Sequence, residues 1–142
     1  MVDVSEKPST PRRAVARAVV QLGPAFEAWQ TGTLGKGDAV ATARIAGIQA
    51  VKRTAELIPL AHPIPITRVD VQIDDDASER TTTITVTVQT VGPTGVEMEA
   101  MTGASIAALT VYDMVKGVAR EVRVRDVELL EKSGGRSGTY VR

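Results

Sequence analysis

The sequence predicts an α+β fold, an antiparallel sheet with helices packed on one face. Three observations predict it. Two neighbouring runs alternate apolar and polar residues around a short acidic loop: Val69, Val71 and Ile73 on one side of it, Ile84, Val86 and Val88 on the other. Two longer segments, 38–58 and 96–118, carry apolar residues without strand alternation and at helical length. The order is strand, helices, two strands, helix, strand, with no repeat of 20–50 residues, and the compact solution for such an order is a ferredoxin-like sandwich.

The elements follow in chain order. Residues 1–11 are polar and include Pro8 and Pro11, so they read as an extended N-terminal arm ahead of a single domain over 12–142. From Arg12 to Leu22, Ala14, Ala16 and Ala18 alternate with Arg13, Val15 and Arg17, which predicts a strand. Pro24 opens a short helix through Trp29, and Thr31–Gly37 is a glycine-rich loop. Asp38 is a favourable N-cap for a helix running to about Ile58, where Pro59 stops it. Ala41, Ile45, Ile48, Val51 and Ala55 form its expected buried stripe. Three prolines in seven residues, Pro59, Pro63 and Pro65, hold the next segment extended. Asp74–Glu79 is the expected hairpin loop.

Beyond the Gly92–Gly95 turn, Val96–Val118 is the longest apolar stretch. Met98, Met101, Ser105, Leu109 and Tyr112 share a face, while Ile106, Val111 and Met114 lie elsewhere around the helix. A helix apolar nearly all round in so small a domain predicts cover by a second subunit. Val122–Leu130 reads as a further strand or two, and Glu131–Tyr140 as a glycine-rich tail.

Composition narrows the chemistry. The 142 residues suit one domain, which at this size buries roughly two-thirds of the surface its unfolded chain exposes. Lys plus Arg number 17, as do Asp plus Glu, so no overall charge favours nucleic acid or an acidic membrane surface. Cysteine is absent, which removes disulfides, iron–sulfur clusters and a thiol nucleophile. His62 is the only histidine, so one chain cannot supply a multi-histidine metal site. No segment reads as a signal peptide or a spanning helix, and a cytoplasmic protein is expected.

Several residues can carry chemistry, each with a plain structural alternative. Lys36, in the loop Gly32–Asp38, either holds an anion beside backbone N–H groups or is a solvated turn lysine; the spacing is not that of a phosphate-binding P-loop. Lys132–Gly138 offers two cations and two hydroxyls to a polyanion, or is a loose terminus. His62 is either packed and hydrogen-bonded or fixed for function by its proline-stiffened segment. Asp113 and Lys116, spaced i, i+3, are a surface ion pair or, since they interrupt a run that looks buried, an acid–base pair. Glu97 and Glu99 suit a helix start. Glu99 and Asp113 stand 14 positions apart, about 21 Å along a helix. If both serve one small-molecule site, two subunits build it.

The segments MVDVSEK, LGKGDAVATARIAGIQAVKRTAELIPLAHP, GPTGVEMEAMTGASIAALTVYDMVK and LLEKSGGRSG together resemble the cyclic pyranopterin monophosphate synthases, the MoaC family of molybdenum-cofactor biosynthesis. The resemblance implies a ferredoxin-like fold and a homohexamer, a trimer of dimers with sites at subunit interfaces. It implies a cyclised, reduced GTP as substrate, rearranged to a pyranopterin carrying a cyclic monophosphate, with loss of diphosphate. It places the catalytic aspartate at Asp113 and the catalytic lysine at Lys116. Lys36, Leu60, Ala61, His62, Glu97, Met98, Glu99 and Lys132 match substrate-lining positions, and Asp3 and Arg12 match the arm more loosely. Many members carry cysteine where this chain has Ala61. No metal or cofactor is expected, and neither nucleic acid nor membrane is an expected partner. A non-catalytic oligomeric nucleotide sensor is the rival reading.

Overall fold

A computed structural model describes all residues, 1–142. Strand β1 (Thr10–Gln21) is followed by a single 3-10 turn, Gly23–Ala25, and the short helix α1 (Phe26–Gln30). Then come α2 (Ala39–Lys52), α3 (Thr54–Leu57), β2 (Ile66–Asp76), β3 (Thr81–Gly92), α4 (Glu97–Val115), β4 (Arg123–Ser133) and β5 (Tyr140–Val141). The strands form one antiparallel sheet in the order β2-β3-β1-β4-β5. Its first four strands have the ferredoxin-like order, with α2 and α4 as the crossovers, so the expected fold class is borne out.

The core explains why β1 is so rich in alanine. Ala14, Ala16, Ala18 and Val20 point from β1 into it, and Ile84, Val86 and Val88 do so from β3; all seven are fully buried. Above them α4 lies on a face of Ala100, Gly103, Ala104, Ala107, Ala108 and Val111. Small side chains on both surfaces let helix and sheet approach closely, which dispersion rewards. On the opposite face of β1, Arg17 Nε donates to Glu128 at 2.7 Å, and Arg13 pairs with Glu131.

Asp38 caps α2 as expected: it is extended, and its Oδ1 accepts the Ala41 N–H at 2.9 Å. The predicted stripe on α2 is rotated, however. Ala39, Ala43, Gly47, Ala50 and Val51 are buried, while Ile45 is 57% exposed. Smallness, not hydrophobicity, selects the buried face, because α2 crosses α4 where Gly47 meets Ala107 and Gly103 meets Val51. The expected single helix to Ile58 is also broken at Arg53. There the Thr54 hydroxyl bonds back to the carbonyls of Ala50 and Val51 and starts the separate turn α3.

Other boundaries move. The first strand begins at Thr10, not Arg12, and β2 runs on to Asp76, so the hairpin turn is Ala77–Arg80. The glycine-rich tail is not loose: residues 131–133 complete β4, and the chain returns as β5. Trp29, the sole tryptophan, is buried under this frame, and its Nε1–H donates to Asp75 at 2.9 Å. The outer face of α4 does leave apolar groups in the open, with Met98 and Leu109 both exposed.

The α2–α4 crossing yields a stability prediction. A Cβ at Gly103 would sit 2.6 Å from Val51 Cγ2 and 3.2 Å from Val86 Cγ1. Gly103→Val is expected to lower the free energy of unfolding by about 1–3 kcal/mol through overpacking, as read from the midpoint of chemical denaturation.

Candidate functional site

Helix α4 carries polar groups at both ends, and these form separate clusters. At its C-terminal end, Asp113 sits between two lysines. Lys116 Nζ reaches Oδ1 and Lys36 Nζ reaches Oδ2, each at 2.6 Å. Lys36 also donates to the Asp113 main-chain carbonyl at 2.8 Å, bringing a cation to the negative end of the helix. Lys36 comes from the loop before α2, whose tight turns place Gly32 and Gly37 at positive φ.

Of the two readings of Asp113 and Lys116, the single chain shows the exposed ion pair and not a buried one: their side chains are 51% and 49% exposed. They lie on the last turn, off the alanine face that meets the sheet. Their electrostatics are nonetheless perturbed. The hydrogen bond from Lys116, then that from Lys36, pulls the Asp113 carboxyl down to about 2. The same hydrogen bond to Asp113 raises Lys116. At neutral pH the cluster is therefore one carboxylate held between two ammonium groups.

The N-terminal end of α4 builds the second cluster. Glu97 pairs with Lys132 of β4 at 3.2 Å, and Lys132 Nζ also donates to Ser137 Oγ at 2.7 Å. Glu97 folds back against Gly95, where a Cβ would meet its carboxylate at 2.0 Å. Beside them opens a cleft of about 520 Å³ into which Lys7, Thr10, Arg12, Arg136 and Ser137 contribute. Arg12 is tied to main-chain carbonyls: Pro93 at 3.2 Å, Gly134 at 3.3 Å and Gly92 at 3.4 Å. The Thr10 hydroxyl is buried with no hydrogen-bond partner. An unsatisfied hydroxyl beside three cations is suited to an acceptor-rich anion.

Glu99 and His62 form the inner part of this end. Glu99 is only 3% exposed, and burial, aided by the neighbouring Glu97 charge, pushes its carboxyl up. His62 shares with it a small cavity walled by Val51, Thr54 and Ile64. The His62 Nε2–H donates to the Val2 carbonyl at 2.9 Å, which ties the arm to the proline segment and fixes the proton on Nε2. Leu60 is 70% exposed, Met98 is exposed, and Ala61 is half-buried.

The sequence-derived residues thus fall into two groups. Lys36, Asp113 and Lys116 come together at one end of α4, whereas His62, Glu97, Glu99 and Lys132 gather at the other. Asp3 lies at the His62 end without a side-chain contact to the cluster: its carboxylate accepts from the backbone N–H and the hydroxyl of Ser5, which lowers its pKa, with a smaller contribution from His62. Sequence reasoning overlooked Lys7 and Thr10. Both lie in the unpatterned arm, and their cleft neighbours come from distant parts of the chain, the turn after β3 and the loop after β4.

Fold and geometry together define a ferredoxin-like α+β domain with an exposed lysine–aspartate cluster and a cationic cleft suited to a phosphorylated small molecule. The chain belongs to the MoaC family, whose model matches residues 1–135. It is similar to the cyclic pyranopterin monophosphate synthase of Thermomicrobium roseum, at 52% identity over all of this chain and 86% of that protein. The synthase of the same name from a Nostoc species is also 52% identical, over 99% of this chain and 84% of that protein. Human molybdenum cofactor biosynthesis protein 1 is 48% identical over the whole of this chain, which corresponds to 22% of that longer protein. No helix of the chain is long and apolar enough to cross a membrane.

The Asp113 cluster sets an expected titration. Its folded pKa is depressed, so the cluster's contribution to stability is present above the ordinary carboxylate value and is lost as pH falls toward about 2. Carboxyl-carbon NMR should place the Asp113 midpoint near 2, and Lys116→Met should move it upward further than Lys36→Met does.

Proposed function

We propose that the chain is a cyclic pyranopterin monophosphate synthase, a lyase of molybdenum-cofactor biosynthesis. Its substrate on this reading is a cyclised, reduced GTP. The observation that carries the proposal is the Lys36–Asp113–Lys116 cluster, found in a chain that belongs to the MoaC family.

The reaction needs three things. Protons must move while the reduced purine is opened and rebuilt; Lys116, resting as an ammonium against the Asp113 carboxylate, enters as the proton donor. Asp113 holds that ammonium in place and accepts a proton once substrate has drawn a lysine away from it. The phosphate chain must be bound: Lys7, Arg12 and Arg136 around the cleft supply charge, and Thr10 supplies its free hydroxyl. Finally, a sugar hydroxyl oxygen bonds to the α-phosphorus as the bond to the α–β bridging oxygen breaks; diphosphate leaves with that oxygen, and the hydroxyl proton passes to the departing diphosphate or to water. That step rests on positioning and charge stabilisation.

His62 and Glu99, with Leu60, Ala61 and Met98 nearby in sequence, line the purine side of the site on this reading. With alanine at position 61, no thiol takes part there. Lys132, already engaged by Glu97 and Ser137, lies between the purine side and the cleft.

The two clusters stand at opposite ends of a 19-residue helix, and one small substrate does not span them. The complete site therefore combines the Lys36–Asp113–Lys116 cluster of one protomer with the cleft end of another. The exposed Met98 and Leu109 on α4 give the protomers an apolar surface to share. A homohexamer built as a trimer of dimers in the cytoplasm accords with this arrangement.

Incubation with the cyclised, reduced GTP should yield cyclic pyranopterin monophosphate and diphosphate in equal amounts. Lys116→Ala is expected to lower kcat by about 10²–10⁴-fold and to leave substrate binding within reach of calorimetry; binding without product in the unaltered protein would mark a sensor. Mixing separately inactive Asp113→Asn and Glu99→Gln proteins under exchange conditions should restore activity. A mixture as dead as its parts would show that each site comes from one chain.

A further inference from the structure

We propose that the C-terminal segment Tyr140–Arg142 is a positioning clip, which holds the loop after β4 so that Arg136 and Ser137 face the phosphate-binding cleft. The inference rests on the cleft's role in the proposed function, and it concerns residues beyond 135, where the family match ends.

The loop is pinned at both ends. At its start, Arg12 donates to the Gly134 carbonyl. Gly134 and Gly135, both at positive φ, pass so close that a Cβ on Gly134 would lie 2.1 Å from the Pro11 carbonyl oxygen, and one on Gly135 1.6 Å from the Arg12 guanidinium. Inside the loop, the Gly138 N–H donates to the Gly135 carbonyl at 3.3 Å, and Ser137 accepts from Lys132. At its end the chain re-enters the sheet: Tyr140 pairs with Lys132 and Val141 with Glu131. The Arg142 N–H then donates to the Leu130 carbonyl at 2.9 Å, and its guanidinium pairs with Glu128.

Glu128 makes this last contact more than a surface ion pair. Its side chain is 15% exposed, and it already accepts from Arg17 of β1, so Arg142 completes a carboxylate gripped from two sides. Without the clip, residues 134–139 would keep only the Arg12 contact at the start and the single hydrogen bond from Lys132 to the Ser137 hydroxyl. Glycines 134, 135 and 138 would then let the loop sample many conformations. Arg136 has no ion-pair partner of its own. Its direction into the cleft therefore depends on the loop's course, and ordering it in advance lowers the cost of binding a polyanion.

The test uses the full chain, a variant lacking residues 140–142, Arg142→Ala and Arg142→Lys, with inorganic diphosphate as the probe. Deletion is expected to weaken diphosphate binding by about tenfold and to raise substrate KM by a similar factor, with kcat little changed. Arg142→Ala should move both in the same direction by less, and Arg142→Lys should restore them. Amide hydrogen exchange in 134–139 should quicken in step with the loss of affinity. A folded deletion variant with unaltered diphosphate affinity would overturn the clip. If the deletion does not fold, Arg142→Ala decides on the same readout. A full-length protein blind to diphosphate would overturn it as well. Diphosphate binding that weakens on deletion in a protein without turnover would uphold the clip and count only against the synthase reading.

Discussion

The close seating of α4 on the sheet governs the rest of the molecule. Its face of Ala100, Gly103, Ala104, Ala107 and Ala108 meets the alanines of β1, and α2 closes on it at Gly47. A rod held that tightly cannot roll or slide without emptying a close-packed core. Its ends are therefore fixed points, and the polar side chains set on its first and last turns inherit that rigidity. Lys36 and Lys132, from a loop and from a strand, come to those ends and are held there by carboxylates that α4 presents.

The division of charge between the two ends is also orderly. At the C-terminal end, one carboxylate and two ammonium groups leave a single positive charge in the open. At the N-terminal end, Lys132 neutralises Glu97, and the remaining cations, Lys7, Arg12 and Arg136, face a cleft that holds an unsatisfied hydroxyl. Glu99 sits beneath them with burial opposing its ionisation. A carboxyl that resists losing its proton and one that resists gaining it thus share one helix, separated by its length. Environment alone sets the two apart, since both are ordinary acids in sequence.

Much of this was legible in the chain itself. Alternation over 69–73 and 84–88 and the Asp38 cap located their elements, because each rests on local chemistry that tertiary structure did not override. The buried side of α2 is rotated from the pattern's reading, since the apolar Ile45 looks like core yet is exposed, whereas the crossing with α4 selects Gly47 by size. Pattern alone left Asp113 and Lys116 open between a surface pair and a buried one, because their apolar neighbours look like core; at the end of α4 they clear the sheet. The Lys36–Asp113 contact spans 77 positions and has no periodic signature, so only the resemblance to a known family hinted at it. The cleft around Lys7, Thr10 and Arg136 depends on the arm, the turn after β3 and the loop after β4 meeting, which no local pattern records.

One detail of the frame has a practical side. Trp29 is alone of its kind, lies 3% exposed, and is bound through its indole N–H to Asp75 near the end of β2. The segment it anchors runs straight into the loop that carries Lys36. The protein thus contains an intrinsic fluorophore wired to one part of its machinery. Its emission colour registers whether that anchor is seated, with no dye attached and no second tryptophan to blur the signal.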